Sequence, residues 1–524
     1  MNKPLVINMF GGPGAGKCLA KDTEILMYDG SIKKVQNVIV GDKLMGDDST
    51  PRTVLNTTCG NGEMFDIVPI KGDSFRVNAE HTLVLSYIHH KPEQIIEPTV
   101  SDYLQFNKTK KARVKLCRSS GIEFKYSPVK LEPYFVGCWL GDGNNADQCV
   151  TTSDNEILEY LKSYTERLNM YLHRKSKKNN KANTYYITNG QKGGKSNFVL
   201  NHLRNLNLLN NKHIPDLYKI NSRPVRLEVL AGLLDTDGEM RHNCFYITTK
   251  YEKLCQDILY LGRSLGFACY ASPCKKSCIR KDGSKFVGDY FRISICGDVS
   301  IIPVKIGYKK AGIRELNKNA LHTGFRVVSV GYDDYYGFEI DGNHRFLLTD
   351  FTITHNSTTA AAVFSLLKMH EVNAELATEF AKDLTWENRQ NVLENNQYYV
   401  WGKQYHRIMR LVDQVDVIVT DGPLLLGVMY GKKPECFDET MIKGFKEFNN
   451  LNYFLLRMKK YNPKGRNQTE EESKELDNKI MQLMIDNDVR FKIEPGNYEG
   501  INDIAKRVLR RLGKEMKVYF VEGK

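Results

Sequence analysis

Reactive side chains stand at two points 339 residues apart: Cys18 at one, and His355, Asn356 and Ser357 at the other. A cysteine thiolate is a strong nucleophile and can attack the preceding carbonyl, here that of Lys17, turning an amide into a thioester. The Asn356 side-chain amide can attack its own backbone carbonyl and cut the chain as a succinimide. The Ser357 hydroxyl can receive an acyl group. Histidine, with an intrinsic pKa near neutrality, can move the protons. These residues make a complete set for cutting out residues 18–356 and joining Lys17 to Ser357.

The same two points interrupt a second pattern. "GGPGAGK", Gly11 to Lys17, fits the start of G-x-x-x-x-G-K-[ST], but Cys18 stands where a hydroxyl should hold Mg²⁺. Joined to Ser357, the flanks read "VINMFGGPGAGKSTTAAAVFSLLKMH": strand, Gly-rich loop, helix. In the joined form Gly11, Gly12, Gly14 and Gly16 would shape the loop, and its backbone N–H groups would cradle phosphates at a helix N-terminus. Lys17 would reach the β/γ-phosphates. Ser357, with Thr358 beside it, would face Mg²⁺. Asp421, after the apolar "VDVIVT", stands where a Walker B acid would be.

Four stretches carry a resemblance to inteins: "CLAKDTEILMYDGSIKKVQNVIVGDKLMG" at the start, "GDSFRVNAEHTLVL", "YYGFEIDGNHRFLLTDFTITHN" near the end, and Ser357 just after the insert. The resemblance implies an N-to-S acyl shift at Cys18. His81 would protonate the departing amide nitrogen, and Asn78, in the place of the usual Thr, would position or polarise that bond. Ser357 would attack the thioester, and His355, with His344 as a second helper, would assist Asn356 cyclisation. No cofactor is needed. Glu339 sits where many inteins carry Asp.

Within the insert, "LAGLLDTDGEM" from Leu230 resembles the LAGLIDADG motif of homing endonucleases, and "FVGCWLGDGNN" from Phe135 resembles a diverged second copy. The small residues suit two closely packed helices touching at Gly137 and Gly232. Asp142 and Asp237 would then meet at the helix ends, bind Mg²⁺ and act on one strand each of double-stranded DNA. "KHIPDLY", Lys212 to Tyr218, resembles an endonuclease block of inteins. "HRKSKKNNKANTYYIT" and "KKSCIRKDGSKFVGDYFRIS" read as basic strand–turn–strand units that could contact phosphate.

These readings set the expected architecture. It is multidomain: a β-rich Hedgehog/intein splicing domain over 18–118 and 322–356, an α/β LAGLIDADG endonuclease over 119–321, and an α/β P-loop domain split into 1–17 and 357–524. Strands are expected at "NAELAT", "DVIVTD", "NYFLLRM" and "KVYFVEG". Arg457, Lys464 and Arg466 lie in a lid-like basic loop, and "ATEFAKDLTWEN", with Glu379, resembles the substrate side of nicotinamide riboside and nucleoside kinases. The spliced product would bind ATP or GTP with Mg²⁺ and a small phosphate acceptor. A nonspecific ATPase, or a non-splicing DNA-binding protein, stays open as the alternative.

The charge distribution fits a polyanionic partner for the insert. The formal net charge of +13 divides into +10 for residues 18–356 and +3 for the flanks. Eleven of the twelve cysteines lie in the insert, without a paired C-x-x-C, which speaks against zinc. No signal peptide and no apolar run near 18 residues are present, so a cytoplasmic setting without membrane contact, including that of a virus-infected cell, is the expectation.

Overall fold

A computed structural model describes residues 3–10, 18–88, 94–175, 182–190, 197–279, 284–312, 319–355, 359–381, 384, 389–434, 436–456, 470–495 and 498–515. The two flanks share one sheet. Among the described residues, five parallel strands lie in the order Ala374–Ala377, Val417–Thr420, Leu5–Phe10, Asn449–Leu456, Phe491–Pro495. The central strand therefore comes from before the insert and its four partners from after it. All six residues of Leu5–Phe10 are buried, as a parallel strand covered on both faces demands. Leu5, Ile7 and Met9 pack with Val363, Leu367, Ile504 and Val508, whereas Val6 and Phe10 pack with Ile408, Leu425, Phe445 and Met484. Asn8 would be costly in this core, but its amide donates to Asn450 and Asn452 side chains at 2.8 and 3.0 Å.

Three of the four flank strands expected from sequence after residue 357 are present. The fourth, "KVYFVEG", lies outside the described residues. The fifth strand is instead Phe491–Pro495. Its charged residues Lys492 and Glu494 disguise it; among the described residues it pairs with Asn449–Leu456.

The insert leaves this sheet after Phe10 and returns before the helix Thr359–Met369. Its first body is β-rich. A long antiparallel ribbon joins Pro51–Pro69 to Phe325–Ile340. The short strand Leu19–Ala20 lies between Phe325–Ile340 and Phe75–Asn78. A small sheet then orders Arg345–Leu347, Ile353–His355 and Thr82–Leu83. Leu19, Ile25, Leu44, Ile67, Val77, Leu83, Phe338 and Phe346 fill the core beneath. Two short helices, Val100–Gln105 and Lys108–Arg113, interrupt the strand-rich pattern.

The chain passes into the second body after the strand Val114–Cys117 and comes back at His322–Thr323, and these two strands pair with each other. Two helices, Pro133–Asp142 and Arg223–Asp237, form its centre. Each begins with Pro in its first turn, where the missing N–H costs nothing. One sheet orders Cys149–Thr152, Asn183–Thr188, Tyr171–Lys175. The other orders Gly238–Arg241, Cys244–Thr249, Lys285–Cys296, Ala268–Ile279. The two halves thus repeat a helix-then-sheet plan. Among the described residues no helix is long and apolar enough to cross a membrane.

Candidate functional site

The β-rich body brings the two ends of the insert to one place. Cys18 is fully buried against Ala20, Met64 and Tyr335. Its amide N–H donates to Asn78 Oδ1 at 3.0 Å, and the Asn78 amide donates back to the Cys18 carbonyl at 3.2 Å. Here the side chain accepts, because the Cys18 nitrogen still carries its proton and needs an acceptor oxygen. The turn that follows places His81, whose amide donates to the Asn78 carbonyl at 3.1 Å.

His81 connects the start of the insert to its end. Its Nε2 pairs with the Thr354 hydroxyl at 2.5 Å. In the adjoining register Thr354 lies opposite Leu83 and His355 opposite Thr82. His355 Nε2 is 3.9 Å from Glu97 Oε2, and Glu97 is held by Arg345 at 2.6 Å. His344 stacks obliquely near His355, ring centroids 5.9 Å apart. It has φ +59°, and its Nδ1–H donates to the Ile340 carbonyl, which leaves the second nitrogen as the acceptor of that tautomer. Cys18, Asn78, His81, His344 and His355 therefore converge. Thr354 and Glu97 also belong to this cluster. Neither has a sequence signal of its own; both follow from strand pairing. Glu339 lies on the long ribbon opposite Asn56. Asn356, Ser357 and Thr358 lie outside the described residues, as do Gly11, Gly12, Gly14, Gly16 and Lys17.

The second body places its two acids with equal economy. A Cβ on Gly137 would lie 2.2 Å from the Val229 carbonyl, and one on Gly232 would lie 2.2 Å from the Tyr134 carbonyl. Only glycine lets the two helices approach so closely. Farther along, a Cβ on Gly141 would meet Thr236 Oγ1 at 2.0 Å and the Asp237 nitrogen at 3.5 Å. Asp142 and Asp237, the last residues of their helices, are thus neighbours. Burial and then the Asp237 charge push the Asp142 carboxyl up to about 6. Asp237 is exposed by surface area, yet protein crowding on its other sides also raises its carboxyl. The open side tempers that shift.

Two buried lysines close the helix ends. Lys212 Nζ donates to the Gly141 and Gly143 carbonyls, both at 2.9 Å. Lys309 Nζ donates to the carbonyls of Leu234 and Asp235 at 3.0 and 2.7 Å. Each cation thereby meets the negative end of a helix. Burial lowers Lys212 to about 8, against the pull of Asp237 and Asp142, and lowers Lys309 in the same sense. Lys212 opened the "KHIPDLY" segment; Lys309 sits at a different offset in the second half and gave no motif. Asp235, between Leu234 and Thr236, is buried and accepts from the Tyr134 hydroxyl and the Lys305 amide, each at 2.6 Å, so its work is structural. Among the described residues no group of three His, Cys, Asp or Glu side chains forms a metal cage. Two crowded carboxylates with raised pKa values remain a chemically suitable pair for a divalent cation, which would relieve their repulsion.

The basic hairpins lie in the two sheets of this body. Tyr171–Lys175 pairs with Asn183–Thr188, and Ala268–Ile279 with Lys285–Cys296. Arg174, Lys175, Lys275, Lys276, Lys285 and Arg292 are exposed. In the flank domain Asp421 follows the strand Val417–Thr420 and accepts from the Glu379 amide at 3.0 Å, so both acids sit at strand C-terminal ends. Arg457, Lys464 and Arg466 lie outside the described residues.

Comparison with known proteins adds one decisive match. The family model described as "Hom_end-associated Hint" matches residues 18–126, beginning at Cys18. Residues 18–126 are a Hint domain. Among curated proteins the chain is 26% identical over 287 residues to the replicative DNA helicase DnaB of Mycobacterium intracellulare, covering 50% of this chain and 44% of that protein. It is 32% identical over 78 residues to a catalytic polypeptide of the V-type proton ATPase of Candida tropicalis, covering 13% and 7%. The chain spans less than half the length of either relative. Similar solved structures include the gp41-1 intein, at 18% identity and a TM-score of 0.16 over 20% of this chain and 70% of that one. I-DmoI in complex with DNA and Mn is similar at 11% identity and a TM-score of 0.21 over 32% and 89%.

Proposed function

We propose that this chain is a self-splicing precursor. The Hint domain, completed by residues 322–356, excises residues 18–356 and joins Lys17 to Ser357. The observation that carries this reading is the pair of hydrogen bonds around one turn, Cys18 amide to Asn78 and Thr354 to His81. They hold the residue that opens the reaction and the strand that ends it within one short segment. The Cys18 sulfur attacks the Lys17 carbonyl carbon, the amide C–N bond breaks, and the freed nitrogen takes a proton from His81 while Asn78 holds it in place. The Ser357 oxygen then displaces sulfur, giving a branched ester. Asn356 side-chain nitrogen attacks its own carbonyl, with His355 and His344 moving protons, and releases the insert as a succinimide. The Ser357 amine finally displaces its own oxygen to leave a peptide bond.

The paired-helix body is, on this reading, a DNA endonuclease carried by the insert. Asp142 and Asp237 would hold a divalent metal, which supplies a Lewis acid and a water of lowered pKa. The exposed lysines and arginines of the two sheets would neutralise phosphates. The healed flank domain, with its parallel sheet and Gly-rich loop after the central strand, reads as a nucleotide-dependent phosphotransferase, with Asp421 near the metal. A nonspecific ATPase is the second reading of that product, favoured if phosphate is released without any nucleoside acceptor.

Gel analysis of expressed chain tests the splicing reading. Splicing of the 60.1 kDa chain predicts fragments of about 39 and about 21 kDa, scaled from residue numbers. Cys18→Ala combined with Asn356→Ala should leave only full-length chain. Continued release of both fragments from that variant would refute the assignment.

A further inference from the structure

Arg118 stands where the chain leaves the Hint domain for the paired-helix body, and the chemistry above makes no use of it. Its side chain is only 3% exposed. Nη1 donates to the Tyr270 hydroxyl at 2.7 Å and Nη2 to the Lys71 carbonyl at 2.6 Å. Nε faces Asp350 Oδ2 at 3.8 Å, and the guanidinium lies 5.3 Å from the Tyr270 ring centroid. Lys71 and Asp350 belong to the two halves of the β-rich body, and Tyr270 belongs to the Ala268–Ile279 strand of the other body. Space for the guanidinium is reserved: a Cβ on Gly72, at φ +114°, would come 2.1 Å from Nη2.

The backbone around Arg118 grips the same turn. The Ser119 amide donates to the Phe351 carbonyl at 3.0 Å, and Arg118 makes a bridge with Thr352. Asp350 in turn accepts from the Thr352 amide and hydroxyl, both at 2.9 Å. Two residues on, Thr354 reaches His81, and His355 follows. A buried charge needs such a set of partners to be tolerated. Here the partners are drawn from both bodies and end at the turn that starts the last strand of the insert.

We propose that Arg118 is a positioning residue for the C-terminal splice junction. It locks the 350–352 turn to Lys71 and Tyr270, and so keeps Thr354 and His355 in register with Leu83 and Thr82. The inference rests on the splicing reading. Its corollary is that the second body braces the end of the reaction without touching the reacting atoms.

The test follows the two cuts separately in full-length chain. Thiol-induced cleavage before Cys18 reports thioester formation, and release after Asn356 reports cyclisation. Arg118→Gln should slow C-terminal release by about tenfold or more, as small misplacements do, while thiol-induced N-terminal cleavage stays within about twofold. Arg118→Lys keeps the charge and should recover part of the loss. Tyr270→Phe, which removes one hydroxyl, should slow the same step a few-fold. Parallel loss of both cuts would mean a merely structural role and would overturn the inference, as would unchanged C-terminal release in Arg118→Gln. Wild-type chain that makes neither cut would instead sink the splicing reading beneath it.

Discussion

On the proposed splicing reading, Asn78 and His81 divide the work at the first bond. The Cys18 N–H donates to Asn78 Oδ1, and His81, which pairs with Thr354, would on that reading carry the proton. His81→Ala should therefore lower thiol-induced cleavage before Cys18 by about 10²-fold or more, the usual scale of lost acid–base catalysis. Timed gels with added thiol measure it, and a rate within a few-fold of wild type would remove His81 from the mechanism. Asp142 leads to a prediction about pH. Its carboxyl, raised from 3.8 to about 6, keeps a proton in the folded state that the unfolded chain gives up. Stability should accordingly fall as pH rises from near 4 to near 6 and stay reduced above that. Asp142→Asn should remove this slope and raise stability at neutral pH by about 1–3 kcal/mol, while abolishing DNA cutting. Melting curves between pH 4 and 8 in the splicing-blocked chain check the sign; a variant melting lower than its parent at pH 7 would contradict it.

Pairs of elements show what the sequence could and could not reveal. Small residues recur in "FVGCWLGDG" and "LAGLLDTDG", and this regularity marks the close helix contact. Ala at Gly137 or Gly232 would put a methyl 2.2 Å from a backbone carbonyl, which cannot swing aside. Either substitution should cost about 1–3 kcal/mol or more by prising the helices apart, and should separate Asp142 from Asp237. Denaturant unfolding together with cleavage of target DNA would detect both effects; unchanged unfolding would mean that the helices are not held so closely. Lys309 was hidden because its role depends on how its own loop folds back onto the Arg223–Asp237 helix, which no local spacing encodes. Glu97 and Thr354 were hidden for the same reason, being placed by cross-strand register between segments far apart in sequence. Phe491–Pro495 was hidden by its charged alternate positions, whereas the apolar runs of Leu5–Phe10 and Val417–Thr420 announced buried parallel strands.

At the scale of the whole molecule, the flank-sheet strand Leu5–Phe10 precedes the insert and the other four described strands follow it. The sheet can therefore assemble in the precursor, while covalent continuity from Lys17 to Ser357 requires the insert to leave. The healed chain should bind ATP and transfer or release phosphate, and the Cys18→Ala, Asn356→Ala precursor should do so at least about 100-fold more slowly, because loop positioning governs phosphoryl transfer. Equal turnover by precursor and product would show that the broken loop is no obstacle. Mass spectrometry of the smaller product, after proteolysis at sites outside the seam, tests the central claim most directly. The account predicts a peptide in which Gly16-Lys17 runs straight into Ser357-Thr358; finding only peptides that end at Lys17 or begin at Ser357, or only intact Lys17-Cys18, would contradict it.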